Sequence, residues 1–260
     1  MTAVALTIAG SDPSGGAGIQ ADLKTFHQFG VYGEAVITLL TVQNSMGVSR
    51  VEVMQPELVT EQISAVLDDI PPQAAKTGAL GGLEIVQAVA AAAERFEFPL
   101  VVDPVMISKH GAPLIAEEAQ RAIIERLVPG AFLITPNVPE AEALCEMEIR
   151  DVDGMKAAAE SLMRMGARNV LIKGGHLSGN AVDVLLTAAG FEQFCAERIE
   201  TPHTHGTGCT YSAAITAELA KGTALNAAVG RAKTFITEAI RTNPGLGRGT
   251  GPVNHHARVI

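Results

Sequence analysis

The segment TPHTHGTGCTYSAA, residues 201–214, sets two glycines and a thiol directly before an alanine-rich stretch of helical composition. Glycine and cysteine are poor helix formers, so their presence needs another reason. One reading is a loop followed by a helix N-cap made by Thr207 or Thr210. The other is an anion site. The N–H groups of Gly206, Thr207, Gly208 and Cys209 would stand free at a helix start, bare of side chains at the two glycines, and could close on a phosphate. That position also lowers a thiol pKa, which would make Cys209 chemically useful.

Two further motifs carry chemistry. TPNVPEAE (135–142) places Asn137 and Glu140 three apart in the first turn of an expected helix, where both side chains face one point. Asn137 caps that helix with Glu140 in a first turn that favours acids, or the two form an oxygen pair for Mg²⁺ through water. LIKGGH (171–176) puts Lys173 after a buried strand and before two glycines, where its ammonium could reach a nucleotide phosphate. GSDPSGGAGIQA (10–21) holds G-x-G-x-x-A at Gly16, Gly18 and Ala21, but the next strand ends in Gln43-Asn44 rather than an acid, so a dinucleotide fingerprint is set aside. His203, His205, His255 and His256 lack further ligands at metal spacing. Cys145 and Cys195 read as packing residues.

These motifs need elements to hold them. AVALTIAG (3–10) and EAVITLLTVQN (34–44) read as buried strands, and VSRVEVM (48–54) as a half-exposed one. Short β-rich runs follow at 74–80, 100–105, 131–137 and 169–175, and 181–200 reads as a hairpin. Helices are expected near 17–30, from Pro56 onward, and at 81–96, 115–127, 153–166, 208–221 and 223–243. Strand–helix alternation implies an α/β fold, a mostly parallel sheet with helices on both faces, in one domain over 1–260 with a small β extension around 34–54. Such sheets bind ligands beyond the carboxyl ends of their strands. The segments there are GSDPSGGAG, Gln43-Asn44, KTGALGG, DPVMISKHG, TPNVPEAE and KGGH, with HGTGC expected on the same rim.

The 260 residues are 47% hydrophobic and 18% charged, enough for a full core. A net charge of −9 argues against a nucleic-acid surface but not against a small anion held by backbone amides. Three cysteines that cannot all pair fit a reduced cytoplasmic setting, and no apolar run reaches membrane-spanning length.

TIAGSDPSGGAGIQADLKTF, TPNVPEAEAL, LIKGGH and HTHGTGCTYSAA, in this order, resemble the hydroxymethylpyrimidine/phosphomethylpyrimidine kinases of thiamine biosynthesis, of the ribokinase-like superfamily. The likeness runs from residue 4 to about 254 and takes in the closing GRGTGPVNHH. It implies a three-layer α/β/α kinase that moves the γ-phosphate of ATP to 4-amino-5-hydroxymethyl-2-methylpyrimidine and then phosphorylates the monophosphate. It also implies Mg²⁺ and a homodimer. By position, the pyrimidine pocket would draw on Gly10, Ala17, Asp22, Thr41, Gln43 and Val105. Gly206 to Cys209 would form the anion hole, with Cys209 near the attacking hydroxyl and able to take its proton late. Asn137 and Glu140 match the superfamily's element for metal-bound phosphate, and Lys173 would meet the nucleotide. Lys109, after a rim strand, is a candidate neutraliser for the substrate's own phosphate. One departure is Ala79 after KTG, where the family often has Met. The wider pocket keeps a pyridoxal-type vitamin kinase open as the alternative. A non-catalytic ligand sensor fits less well with Asn137, Glu140, Lys173 and Cys209 all in place.

Overall fold

The computed structural model describes residues 2–106 and 116–259. Lys109 lies outside the described residues. The chain begins with β1 (Val4–Ser11), α1 (Gly18–Gln28), β2 (Tyr32–Asn44), β3 (Gly47–Val53) and α2 (Pro56–Asp69). β4 (Ala74–Thr77), α3 (Leu83–Ala93), β5 (Leu100–Val102), α4 (Glu117–Ala122), β6 (Leu133–Ile134) and α5 (Val138–Cys145) follow. Then come α6 (Val152–Arg164), β7 (Val170–Ile172), β8 (Ala181–Thr187), β9 (Gly190–Ala196), α7 (Thr207–Ala220) and α8 (Leu225–Arg241).

One sheet runs β3-β2-β1-β4-β5-β6-β7-β8-β9. The strands from β2 to β7 pair in parallel, and antiparallel strands flank them on both sides. Side-chain alternation sorts the core onto two faces. Leu6 and Ile8 of β1, Val102 of β5 and Val170 and Ile172 of β7 pack with α2 to α6. Ala5, Val101 and Leu171, from those same strands, pack with α1, α7 and α8. This is the three-layer α/β/α arrangement that the strand–helix alternation implies. Successive strands leave β1 on one side towards β2 and return on the other at β4, so a switch point opens beyond the carboxyl ends of β1 and β4.

Three expectations need correction. β2 is buried only through its middle, at Val36, Thr38 and Leu39, because its last third runs beyond the helical layers. β3 is exposed along most of its length rather than half-buried. The helix expected at 115–127 is a short α4 followed by a π turn (Ile123–Leu127) and a 3-10 turn (Val128–Gly130).

A segment near residues 251–255 returns to the start of α7. The His205 N–H donates to the Gly251 carbonyl at 3.0 Å, and the Val253 N–H to the His205 carbonyl at 3.3 Å. The Thr210 hydroxyl meets His255 Nε2 at 3.1 Å. Burial, with Lys24 and the neighbouring histidines, pushes His255 down to about 4. The unfolded chain then takes up this proton first, so stability is present near pH 7 and is lost as pH falls from about 6.5 towards 4. A shift of that size corresponds to on the order of 3 kcal/mol. His255→Gln is expected to flatten the fall in urea-unfolding free energy between pH 7 and 4.5. An unchanged pH dependence would show that His255 does not drive it.

Candidate active site

At the switch point lies a cavity of about 530 Å³. Gly10, Ala17, Thr41, Gln43, Val105, Asn137, Glu140, Lys173 and Gly206 to Cys209 all line it. Asp22 does not. Its side chain is fully buried beneath the floor, where it accepts from Thr7 Oγ1 at 2.6 Å and pairs with Lys76 Nζ at 2.8 Å. Asp22 sits on the buried face of α1, paired with a lysine that is itself fully buried.

Neither threonine caps α7. The N-cap is Gly206, in the left-handed region at φ 78°, and no side chain bonds the first amides. A Cβ at Gly206 would overlap the Gly16 carbonyl, so this glycine lets the two loops meet. Thr207 Oγ1 donates to the Thr204 carbonyl at 2.7 Å. At Gly208 the situation differs. A Cβ there would stand 3.4 Å from Lys173 Nζ and 3.9 Å from Asp103 Oδ2, so the missing side chain leaves the helix start facing a charged pair.

That pair is the site's electrostatic centre. Lys173 Nζ bonds Asp103 Oδ1 at 2.8 Å, and Asp103 also accepts from Thr135 Oγ1 at 3.2 Å and Ser212 Oγ at 3.0 Å. Burial alone would raise the Asp103 carboxyl, but Lys173, Lys76 and the Ser212 bond outweigh it and hold it below the usual range. Asp103 was not singled out from the sequence. It ends β5 in LVVDPV, where an acid also reads as an ordinary strand-end residue.

Asn137 and Glu140 form a reciprocal capping box on α5: the Glu140 N–H donates to Asn137 Oδ1 at 2.9 Å and the Asn137 N–H to Glu140 Oε2 at 2.8 Å. The structural reading of this pair therefore holds, and it leaves Glu140 buried on the cavity wall. Burial pushes the Glu140 carboxyl up to about 7, against the pull of Lys173. Among the described residues no group of three or more His, Cys, Asp or Glu could hold a metal ion directly.

The expected lowering of the Cys209 pKa is not found. Burial pushes the thiol up to about 12; Lys76 and a Gly18 amide pull the other way, but Asp22 and Asp103 add to the rise. The helix start is outweighed by desolvation, a quantity invisible in sequence.

Two more residues went unrecognised. Asp12 holds the 12–17 turn together, accepting from the amides of Ser14, Gly16 and Ala17. His205 Nε2 reaches Asp12 Oδ2 at 2.8 Å and lies 3.4 Å from Gln43 Nε2. The Asp-Pro-Ser-Gly-Gly run is a turn signal, but its partner stands 193 positions away.

An uncapped helix start facing Lys173, in a cleft beside a strand-end amide, is an arrangement suited to a small phosphorylated ligand. The phosphomethylpyrimidine kinase family model matches residues 12–254. The thiamine biosynthesis bifunctional protein ThiED of Geobacter sulfurreducens is 51% identical over 96% of this chain, which spans 51% of that relative's length. The hydroxymethylpyrimidine/phosphomethylpyrimidine kinase of Bacillus subtilis is 46% identical over 97% of this chain and 94% of its own. An ADP complex of Bacillus subtilis pyridoxal kinase superposes with a TM-score of 0.91 at 41% identity, covering 99% of this chain and 98% of that one. The chain belongs to the phosphomethylpyrimidine kinase family.

Proposed function

We propose that this chain phosphorylates 4-amino-5-hydroxymethyl-2-methylpyrimidine with ATP, and then its monophosphate to the diphosphate. The observation that carries this reading is the convergence of the bare α7 start, Lys173 and Gln43 in one cavity. Phosphoryl transfer runs through a loose transition state, so positioning and charge stabilisation dominate. The amides at 206–209 would hold the transferring oxygens, as an oxyanion hole does. Lys173, kept charged by Asp103, would sit against the same group.

Mg²⁺ fits the donor chemistry as a water-bridged ion. Glu140 offers one carboxylate, raised in proton affinity by burial, and Asn137 an amide oxygen, with nucleotide phosphates supplying further oxygens. When bound, the ion would neutralise phosphate charge. Glu140 and Asn137 would orient its water shell, and their cap fixes both side chains in advance.

Gln43 would read the ring. Its Oε1 accepts from Thr41 Oγ1 at 3.2 Å, which orients the amide at the cavity wall. Gln43→Leu is expected to weaken pyrimidine binding by about 1–3 kcal/mol and leave ATP affinity unchanged. Equal loss of both ligands would make Gln43 a fold residue.

A homodimer belongs to this reading. The β2–β3 hairpin exposes Leu40, Val42, Met46, Val51 and Val53, more apolar surface than a lone hairpin favours in water. So does a cytoplasmic setting, supported by three unpaired cysteines. No helix among the described residues is long and apolar enough to cross a membrane.

The deciding experiment is ADP release measured with the pyrimidine alcohol, its monophosphate and pyridoxal side by side. Turnover of both pyrimidines is expected. Ala79 lines the cavity with little bulk, so pyridoxal is the informative control. Turnover of pyridoxal alone would transfer the chain to the vitamin-kinase alternative.

A further inference from the structure

Beyond Lys173 the cavity takes in Gly175 and His176 of the loop 174–179 and continues to Arg198, Ile199, Ile236 and Ile240. Arg198 leaves β9 and turns back over the loop that follows β7. Its guanidinium donates from Nε to the Gly179 carbonyl at 2.8 Å, from Nη1 to the Gly175 carbonyl at 2.9 Å and from Nη2 to the Leu177 carbonyl. Three alternate carbonyls of one loop are thus gathered on one planar fork. An ammonium cannot reproduce that geometry, because it lacks the fixed spacing of guanidinium donors.

The loop's near end is pinned separately. The Gly174 N–H donates to Asp183 Oδ1 at 3.0 Å, and Asp183 is neutralised by Lys233 at 2.7 Å. Arg198 has no such neutralisation: among the described residues no carboxylate forms an ion pair with it. A cation placed against neutral carbonyls at the mouth of a cleft has charge to spare for an anionic ligand.

We propose that Arg198 is a positioning residue for the nucleotide. It fixes loop 174–179 as one wall of the nucleotide end and keeps a positive charge beside it. This rests on the proposed use of ATP.

The test compares Arg198→Met, which keeps the apolar stem, with Arg198→Lys, which keeps the charge. Steady-state rates are read for ATP and for the pyrimidine alcohol, and amide hydrogen exchange is read on the unliganded chain. In Arg198→Met the KM for ATP should rise about tenfold or more, while kcat and the pyrimidine KM stay within about threefold. In Arg198→Lys most of that rise should remain, because the fork is gone. Amides of residues 175–179 should exchange faster in both variants, with the rest of the chain unchanged. Wild-type KM for ATP in Arg198→Met, an equal rise in both KM values, or unaltered exchange of the loop would overturn the proposal. Failure of the wild-type chain to use ATP would refute the phosphotransferase reading instead. The exchange measurement needs no nucleotide and still decides whether Arg198 holds the loop.

Discussion

Gly208→Val is expected to lower kcat by a hundredfold or more in a chain that still folds. The backbone at Gly208 is ordinary, and the new side chain would point at Lys173 Nζ and Asp103 Oδ2 rather than into backbone. It would therefore fill the space that a transferring phosphoryl group needs and screen the amides at 206–209 from it. Loss of one preorganised donor costs about 3 kcal/mol in other enzymes, which corresponds to the stated factor. Gly206→Ala is the control. Its Cβ would run into the Gly16 carbonyl from a left-handed backbone, so it should lower the melting temperature as well as the rate. Turnover of Gly208→Val within tenfold of wild type would remove the helix start from the chemistry.

Cys209→Ala should lower kcat by about a hundredfold, the lower range for a positioned proton acceptor, with the KM for ATP little changed. The structure adds a condition to this. A thiol pushed up to about 12 is protonated at neutral pH, so only a small fraction is ready to accept a proton. The wild-type kcat should then climb with pH through the neutral and alkaline range, as the thiolate fraction grows. That climb should vanish in Cys209→Ala. A wild-type profile flat above neutrality, together with a variant within a few-fold of wild type, would leave the hydroxyl proton to the phosphate itself.

The central strands were legible because they are short apolar runs that end in glycine or a polar residue, and β1 is buried over seven of its eight positions. The rim was legible for the same reason: the carboxyl ends of parallel strands gather whatever follows them. Asn137, Glu140, Lys173 and the 206–209 turn could be found that way. Charge pairing could not. Lys76 and Asp103 both lie in rim segments that carry no pairing signal, and their partners Asp22 and Lys173 come from elements 54 and 70 positions away. The family resemblance placed Asp22 against the ligand, and sequence order cannot say which side of a helix faces a cavity and which faces a lysine. The Cys209 pKa failed for a related reason. A helix start is visible in sequence, but the depth at which it is buried belongs to the whole fold.

The contact between residues 251–255 and the start of α7 has a consequence for how the protein is made. Asp12 precedes His205, its partner, by 193 positions and so leaves the ribosome well before it. The pairing of His205 with Gly251 and Val253, and of Thr210 with His255, must wait until residues 251–255 are made. The sheet can therefore begin to assemble during translation, while the start of α7 is tied down only after it. A chain ending at residue 250 would keep all nine strands and lose these partners of His205 and Thr210.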